Sequence, residues 1–240
     1  WGRQHGDRYM QKRLYEGGEG RHFDSDYNCC HYWYSYGLTE KNYTSIYSNQ
    51  YKKLAKIVPT FYDRKKKINK PLNADIVFIP RVNISFYDYG TQSTTRDHWK
   101  FKLVNKLNKI KNKKIFIKLV PTRLYETNSL YDFIKSKKNI FIEENVSFDT
   151  FSKYHNIKLA IFEELNTCLL PILDQPTVIF ALHYPDSIFY ENIYNLLKKR
   201  VYFFNKFNEL NLAINNFIEG NTSFSFDDHS FDEMYLSKNI

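Results

Sequence analysis

Apolar and polar residues follow a repeating pattern along the second two thirds of the chain. Six short runs are apolar throughout, and the first two stop at Pro80 and Pro121. Strands that are apolar throughout are typical of a parallel sheet covered by helices on both faces. We predict buried strands over residues 74–80, 114–120, 139–143, 157–162, 177–182 and 201–204.

Amphipathic stretches separate these runs. The clearest carries one apolar stripe with lysines at the remaining positions, which predicts a surface helix packed on a sheet. The stripe consists of Trp99, Leu103, Val104, Leu107 and Ile110. We predict helices over residues 96–112, 128–137, 148–154, 166–173, 186–199 and 207–218. Strands that alternate with helices form βαβ units, so the sequence predicts an α/β fold with a doubly wound, Rossmann-like parallel sheet.

The first 73 residues show neither pattern. They contain a polar, glycine-rich loop near Gly17 and an aromatic, strand-like stretch over residues 27–36. We therefore expect an irregular junction segment over residues 1–73 and a Rossmann-like domain over residues 74–240. Because the chain opens at Trp1 without an initiator methionine, we also expect it to be a piece of a longer protein whose N-terminal domain is missing.

Composition excludes several classes of protein. With 42% hydrophobic and 25% charged residues, the chain is neither a collagen, a coiled coil nor a low-complexity disordered protein. Its three cysteines, Cys29, Cys30 and Cys168, lack the spacing of a disulfide framework and indicate a reducing compartment. Cys29, Cys30 and His31 are candidate metal ligands, but no second ligand pair at zinc spacing accompanies them, which favours buried thiols. We predict no metal site and no cofactor.

The net charge of +9 comes from lysines and arginines that concentrate in residues 52–70 and 100–114. Such stretches bind nucleic acid, anionic lipid or phosphorylated ligands, or form a solvated helix face. The 20 tyrosines and 20 phenylalanines are explained by an AT-rich coding sequence or by a nucleic-acid-binding surface. Aromatic residues also fall inside the predicted apolar strands, as Phe78, Phe162 and Phe180 do, which counts against nucleic acid as a partner.

Ligands of open α/β sheets bind beyond the carboxyl ends of the strands, near helix N-termini. The sequence has no glycine-rich dinucleotide motif, P-loop or nucleophile elbow. Asn166 and Thr167 instead follow the fourth predicted strand, where Asn166 can cap a helix and Thr167 can bind a phosphate together with the free main-chain amides. A plain helix cap without a ligand is the alternative.

Five motifs occur in order along the chain. They are Gln4, His5 and Gly6; Ser25, Asp26 and Tyr27, with residues 33–37; Ile79, Pro80 and Arg81, with residues 85–90; residues 118–121; and Asn166 and Thr167 with residues 176–180. Through these motifs the chain resembles the C-terminal half of GT-B glycosyltransferases, and more closely surface-carbohydrate transferases distantly akin to CDP-glycerol glycerophosphotransferases.

The resemblance implies roles for individual residues. His5 would deprotonate an acceptor hydroxyl or hold a phosphate. Arg81 and Lys118, with Arg123 as a weaker third, would offset the charge that develops on a leaving nucleoside diphosphate without a metal ion. Surface salt bridges are the alternative for these cations. Asn166 and Thr167 would hold the donor phosphate.

The sequence also departs from the family pattern. Asp7 stands where a second glycine is expected, Asn166 and Thr167 replace a Ser-Thr pair, and Pro171 occupies the region of the donor-contacting glutamate. A catalytically inactive homologue is therefore an alternative to an enzyme. The resemblance implies a nucleotide-sugar donor, a glycan or lipid-linked acceptor, and a cytoplasmic location with peripheral contact at an anionic inner membrane face.

Overall fold

The computed structural model describes residues 2–3, 11–12, 32–36, 56–60, 68–69, 71–80, 92–119, 129–165, 167–173, 175–184, 188–189, 191–221 and 224. Their elements, in chain order, are β1 (Gly2–Arg3), β2 (Gln11–Lys12), β3 (Tyr32–Tyr36), β4 (Lys56–Thr60), β5 (Leu72–Ile79), α1 (Gln92–Asn108), β6 (Ile115–Lys118), α2 (Ser129–Lys135), β7 (Phe141–Glu143), α3 (Phe148–Tyr154), β8 (His155–Phe162), a 3₁₀ helix (Thr167–Ile172), β9 (Val178–Leu182), β10 (Ile188–Phe189), α4 (Glu191–Leu197), β11 (Tyr202–Phe204) and α5 (Phe207–Glu219).

The chain divides into two compact units. The larger comprises Lys65–Tyr184 and Arg200–Asp227, and the smaller comprises Trp1–Arg64, Pro185–Lys199 and Asp228–Ile240. The predicted boundary between residues 73 and 74 remains a prediction.

The larger unit is built on one six-stranded sheet in which every pair of neighbouring strands is parallel. The strands lie in the order β11-β9-β8-β5-β6-β7. Counted along the chain and read from β7, this is the order 3-2-1-4-5-6 of Rossmann folds. The prediction of a doubly wound, Rossmann-like parallel sheet is confirmed.

Side chains alternate between the two covered faces of this sheet. Phe78 packs on one face in a cluster with Leu103 of α1 and Ile214 of α5. On the other face Phe162 contacts Phe148 of α3, with 6.4 Å between the ring centroids. Because both faces are covered by helices, the strands need apolar residues at successive positions, which is why they read as uninterrupted apolar runs.

Local sequence signals set several element ends. Ser147 caps α3, and its Oγ accepts a hydrogen bond from the amide of Thr150 at 3.2 Å. Helix α5 ends at Gly220, whose φ of +70° is readily adopted by glycine, and the Gly220 amide donates to the carbonyl of Asn216. Helix α1 lies four residues closer to the N-terminus than predicted at both of its ends.

The smaller unit contains regular strands within the segment for which an irregular junction was predicted. Strands β1, β3 and β4 form a parallel sheet in that spatial order. Strand β3 lies inside the aromatic, strand-like stretch over residues 27–36. In the same unit β10 pairs antiparallel with β2, and α4 begins only at Glu191, later than the predicted start at residue 186.

Candidate functional site

Strand order reverses in the larger sheet between the neighbouring strands β5 and β8. Chain connections from this point run outward in opposite directions, which opens a crevice beyond the carboxyl ends of the two strands. The crevice is flanked by Pro80 after β5 and by Glu163 after β8. The amide of Glu163 donates to the carbonyl of Ile79 at 3.1 Å, so the pairing of the two strands continues up to this point.

A buried ion pair lies at this reversal point. Nζ of Lys100, on α1, is 3.3 Å from Oε1 of Glu163, and the two side chains are 2% and 0% exposed. The same ammonium lies 3.2 Å from Oδ1 of the half-exposed Asp97, one turn earlier in α1. Removing both charges from water is costly, and their attraction at this distance offsets part of that cost. The pair therefore fixes α1 against the end of the central strand β8.

Sequence reasoning placed Lys100 among the solvated lysines of its helix, and the structure shows that this was wrong. Lys100 precedes Leu103, Val104 and Leu107 by three, four and seven positions, so it lies on the same buried face of α1. The spacing of Lys100 from these buried residues indicates burial. In the sequence, however, a lysine at the end of an apolar stripe is indistinguishable from the first residue of the solvated face.

Lys118 ends β6 on the same carboxyl edge, one strand away from β5. Its side chain is 3% exposed, and its ammonium donates to the carbonyl of Leu119 and, at 3.3 Å, to that of Glu143. Burial lowers the pKa of Lys118, and the nearby charges of Glu143, Cys168 and Glu144 oppose this shift. An ammonium group has three donors, and the two carbonyls account for two of them.

The segment after β8 forms a short 3₁₀ helix that begins at Thr167. The sequence predicted a helix here, and its 3₁₀ form reflects Pro171, which lacks an amide hydrogen and lies inside the helix. Three of its own residues, Leu169, Leu170 and Ile172, are buried. A helix of six residues has few aligned peptide dipoles, so its N-terminus attracts an anion less strongly than that of a long α-helix.

Arg200 holds the end of this 3₁₀ helix. Its guanidinium, on a side chain that is 1% exposed, donates to main-chain carbonyls across the turn into β9. The acceptors are the carbonyls of Ile172 at 3.5 Å, Leu173 at 3.2 Å, Gln175 at 3.1 Å and Thr177 at 2.9 Å. Sequence reasoning missed Arg200, because it follows Lys198 and Lys199 and so reads as the end of a solvated basic run.

The structure locates two of the predicted site residues. Lys118 lies at the carboxyl edge of the sheet, and the main chain of Thr167 opens the 3₁₀ helix that follows β8. His5, Arg81, Arg123 and Asn166 lie outside the described residues, and their roles remain predictions. Within the described part of the chain, no group of three or more histidine, cysteine, aspartate or glutamate side chains is arranged to hold a metal ion.

Solved structures share this fold. A variant of S. aureus TarM, in complex with fondaparinux, α-GlcNAc-glycerol and UDP, matches 91% of this chain and 43% of its own, at 12% identity and a TM-score of 0.54. The GtfA/B complex matches 94% of this chain and 48% of its own, at 11% identity and a TM-score of 0.50. Both are GT-B glycosyltransferases, and this chain spans less than half the length of each. No protein-family model and no curated protein matches the sequence.

Proposed function

We propose that this chain is the donor-binding half of a GT-B-type glycosyltransferase. It would transfer a sugar, or a polyol phosphate, from a nucleoside-diphosphate donor to a surface polysaccharide or a lipid-linked acceptor. The fold it shares with glycosyltransferases supports this class of reaction. Because the chain spans less than half of those structures, the whole reaction belongs to a longer protein in this proposal.

One observation carries the proposal: a buried ammonium, that of Lys118, lies at the carboxyl edge where Rossmann folds bind nucleotides. Two of its donors are directed to the carbonyls of Leu119 and Glu143, and the third would serve a phosphate oxygen of the donor. A buried lysine gains more from an anionic ligand than an exposed one does, because water screens the attraction less.

The proposed reaction moves charge onto the leaving group. When a sugar is transferred, the acceptor oxygen attacks the anomeric carbon, the bond from that carbon to the phosphate oxygen breaks, and the electron pair leaves with the nucleoside diphosphate. When a polyol phosphate is transferred, the acceptor oxygen attacks its phosphorus and a nucleoside monophosphate leaves. Lys118, Arg81 and Arg123 would stabilise the developing negative charge, as a divalent metal does in other transferases. His5 would accept the proton of the acceptor hydroxyl.

Donor binding would also use the segment after β8. Asn166 and Thr167 would bind a phosphate through their side chains and through main-chain amides at the start of the 3₁₀ helix. We propose a cytoplasmic location at the inner membrane surface, where an activated donor and a lipid-linked acceptor would meet. Among the described residues, no helix is long and apolar enough to cross a membrane.

The test is thermal unfolding of the chain with a panel of nucleoside diphosphates. A binding diphosphate at about 100 times its dissociation constant should stabilise the fold by about 2.7 kcal/mol. Lys118→Met should abolish most of this shift, and Lys158→Met, an exposed lysine at the opposite end of the sheet, should retain it. If Lys118→Met retains the shift as Lys158→Met does, Lys118 is not part of the donor site.

The remaining alternatives give different results in the same assay. An inactive homologue would bind the diphosphate but release no sugar from any nucleotide sugar when the full-length protein is assayed. A nucleic-acid-binding protein would be stabilised by DNA or RNA oligomers and by no diphosphate. The described phenylalanines of the central strands, such as Phe78, Phe162 and Phe180, are buried and unable to stack on bases.

A further inference from the structure

The amino-terminal edge of the larger sheet, opposite the candidate site, is strongly basic. Six exposed lysines lie just before or at the start of its strands, and we call them the basic edge. They are Lys109, Lys111, Lys113 and Lys114 before β6, Lys138 before β7, and Lys158 near the start of β8.

Hydrogen bonds join the loops of this edge into one surface. Asp75, on β5, accepts from Lys158 Nζ at 2.7 Å and from the amide of Lys114 at 2.8 Å. The turn before β7 is joined to the end of α1, since Nδ2 of Asn139 donates to the carbonyl of Asn108 at 2.8 Å. The lysines therefore belong to one continuous face.

Large apolar side chains are exposed at the same edge. Leu72 begins β5 and is 60% exposed, and Tyr154, directly before β8, is 44% exposed. Leu72 lies opposite His155, whereas the first residue of β6 lies opposite Ile76. Strands β5 and β8 therefore project about 13 Å beyond β6 and carry Leu72 outward.

Few acidic groups offset this charge. Among the described residues at this edge, Asp75 is already bonded to Lys158, and Glu219, at the end of α5, accepts from Asn221 Nδ2. Six exposed lysines beside the projecting side chains of Leu72 and Tyr154 are complementary to anionic headgroups above an acyl layer. We propose that the basic edge, together with Leu72 and Tyr154, binds the surface of an anionic lipid bilayer.

Nucleic acid fits this surface less well. Leu72, which begins β5 and is 60% exposed, is an aliphatic residue that cannot stack on a base but can enter the acyl boundary. This inference rests on the proposed function only in that the proposed function places the protein at a membrane. Its contacts lie at the opposite end of the strands from the donor site, so vesicle binding and nucleotide binding succeed or fail independently.

The test is co-sedimentation of the full chain with phosphatidylcholine vesicles that contain about a third phosphatidylglycerol. Binding should weaken as salt is added and should be absent with phosphatidylcholine alone. Lys111→Glu/Lys113→Glu should lower the partition coefficient at least about twentyfold, since each lysine near such a surface contributes about fivefold. Leu72→Asn should also lower it severalfold.

Matched controls distinguish this face from general effects of charge and apolarity. Lys102→Glu/Lys206→Glu makes the same charge change at exposed lysines away from the basic edge, and Leu212→Asn replaces a leucine that is also 60% exposed on α5. Both controls should bind vesicles as the unmodified chain does. Equal losses in test and control variants, or binding to DNA or RNA oligomers that Lys111→Glu/Lys113→Glu removes and Leu72→Asn preserves, would overturn the proposal.

Discussion

The ammonium of Lys100 lies 3.3 Å from the carboxylate of Glu163, and both groups are buried where the strand order of the sheet reverses. Lys100 lies outside the motifs that suggested a function. The ion pair joins the first helix of the Rossmann-like unit to the fourth of its strands, so the walls of the candidate crevice depend on it.

Breaking this pair from one side should be strongly destabilising. Lys100→Met removes the ammonium that lies 3.3 Å from the buried Glu163 carboxylate, and we expect the free energy of unfolding to fall by about 3–5 kcal/mol in urea denaturation. Lys100→Met/Glu163→Leu removes both charges and should recover most of that loss. A double variant as unstable as the sum of the two single variants would show that the charges do not interact.

Arg200 should be required for the order of the turn between the 3₁₀ helix and β9. Arg200→Lys keeps the charge but loses the planar fork that reaches four carbonyls, so we expect a loss of at least about 2 kcal/mol. Hydrogen exchange should accelerate first in residues 172–177. Arg200→Lys with unchanged exchange in this segment would show that the carbonyls are satisfied without the guanidinium.

Asp75 should make the fold sensitive to acid. Partial burial opposes ionisation, but hydrogen bonds from Lys158 and from the Lys114 amide, with the charges of Lys158 and Lys113, hold the pKa of Asp75 below its usual value. Its contribution to stability is thus present above the pKa of the unfolded chain and is lost as pH falls through the lower folded value. The stability difference between the unmodified chain and Asp75→Asn, from urea unfolding at several pH values, should shrink on acidification below about pH 4. A difference that is constant with pH would contradict this.

Donor binding should weaken at alkaline pH earlier than the usual pKa of a lysine implies. Burial lowers the pKa of Lys118, so its ammonium loses its proton, and with it the attraction to a diphosphate, before an exposed lysine would. Calorimetric titrations of a bound nucleoside diphosphate between neutral and alkaline pH should show this decline. Lys118→Met should bind weakly at every pH and lack the decline, and an identical decline in that variant would assign it to another group.

The strands were predictable because burial of both faces of the sheet requires uninterrupted apolar runs in the sequence. Runs such as that of β8 admit apolar residues at successive positions, and all six predicted runs are strands of one sheet. Their spatial order was not readable, because the crossover from β7 through α3 to β8 depends on pairing between distant residues. The switch point between β5 and β8 therefore appears only in the structure.

The candidate site was only partly predictable for a related reason. Lys118 was chosen because the resemblance to a known family places a basic residue shortly before the proline that ends this strand. Lys100 and Arg200 were missed because a buried cation and an exposed one have the same identity in the sequence. Only the partner separates them, and Glu163 lies 63 positions from Lys100 along the chain.

Strand β5 has the candidate donor site at one end and Leu72 at the other. Its eight residues span about 26 Å. If the basic edge lies on a bilayer with β5 perpendicular to it, the donor site lies about that far above the headgroups and on the side facing away from them. Of the proposed acceptors, a polysaccharide or a long lipid-linked chain would then reach the site with its outer end, whereas a sugar directly beside its lipid would not. The length of β5 would then set the minimum length of the acceptor polymer that this protein extends.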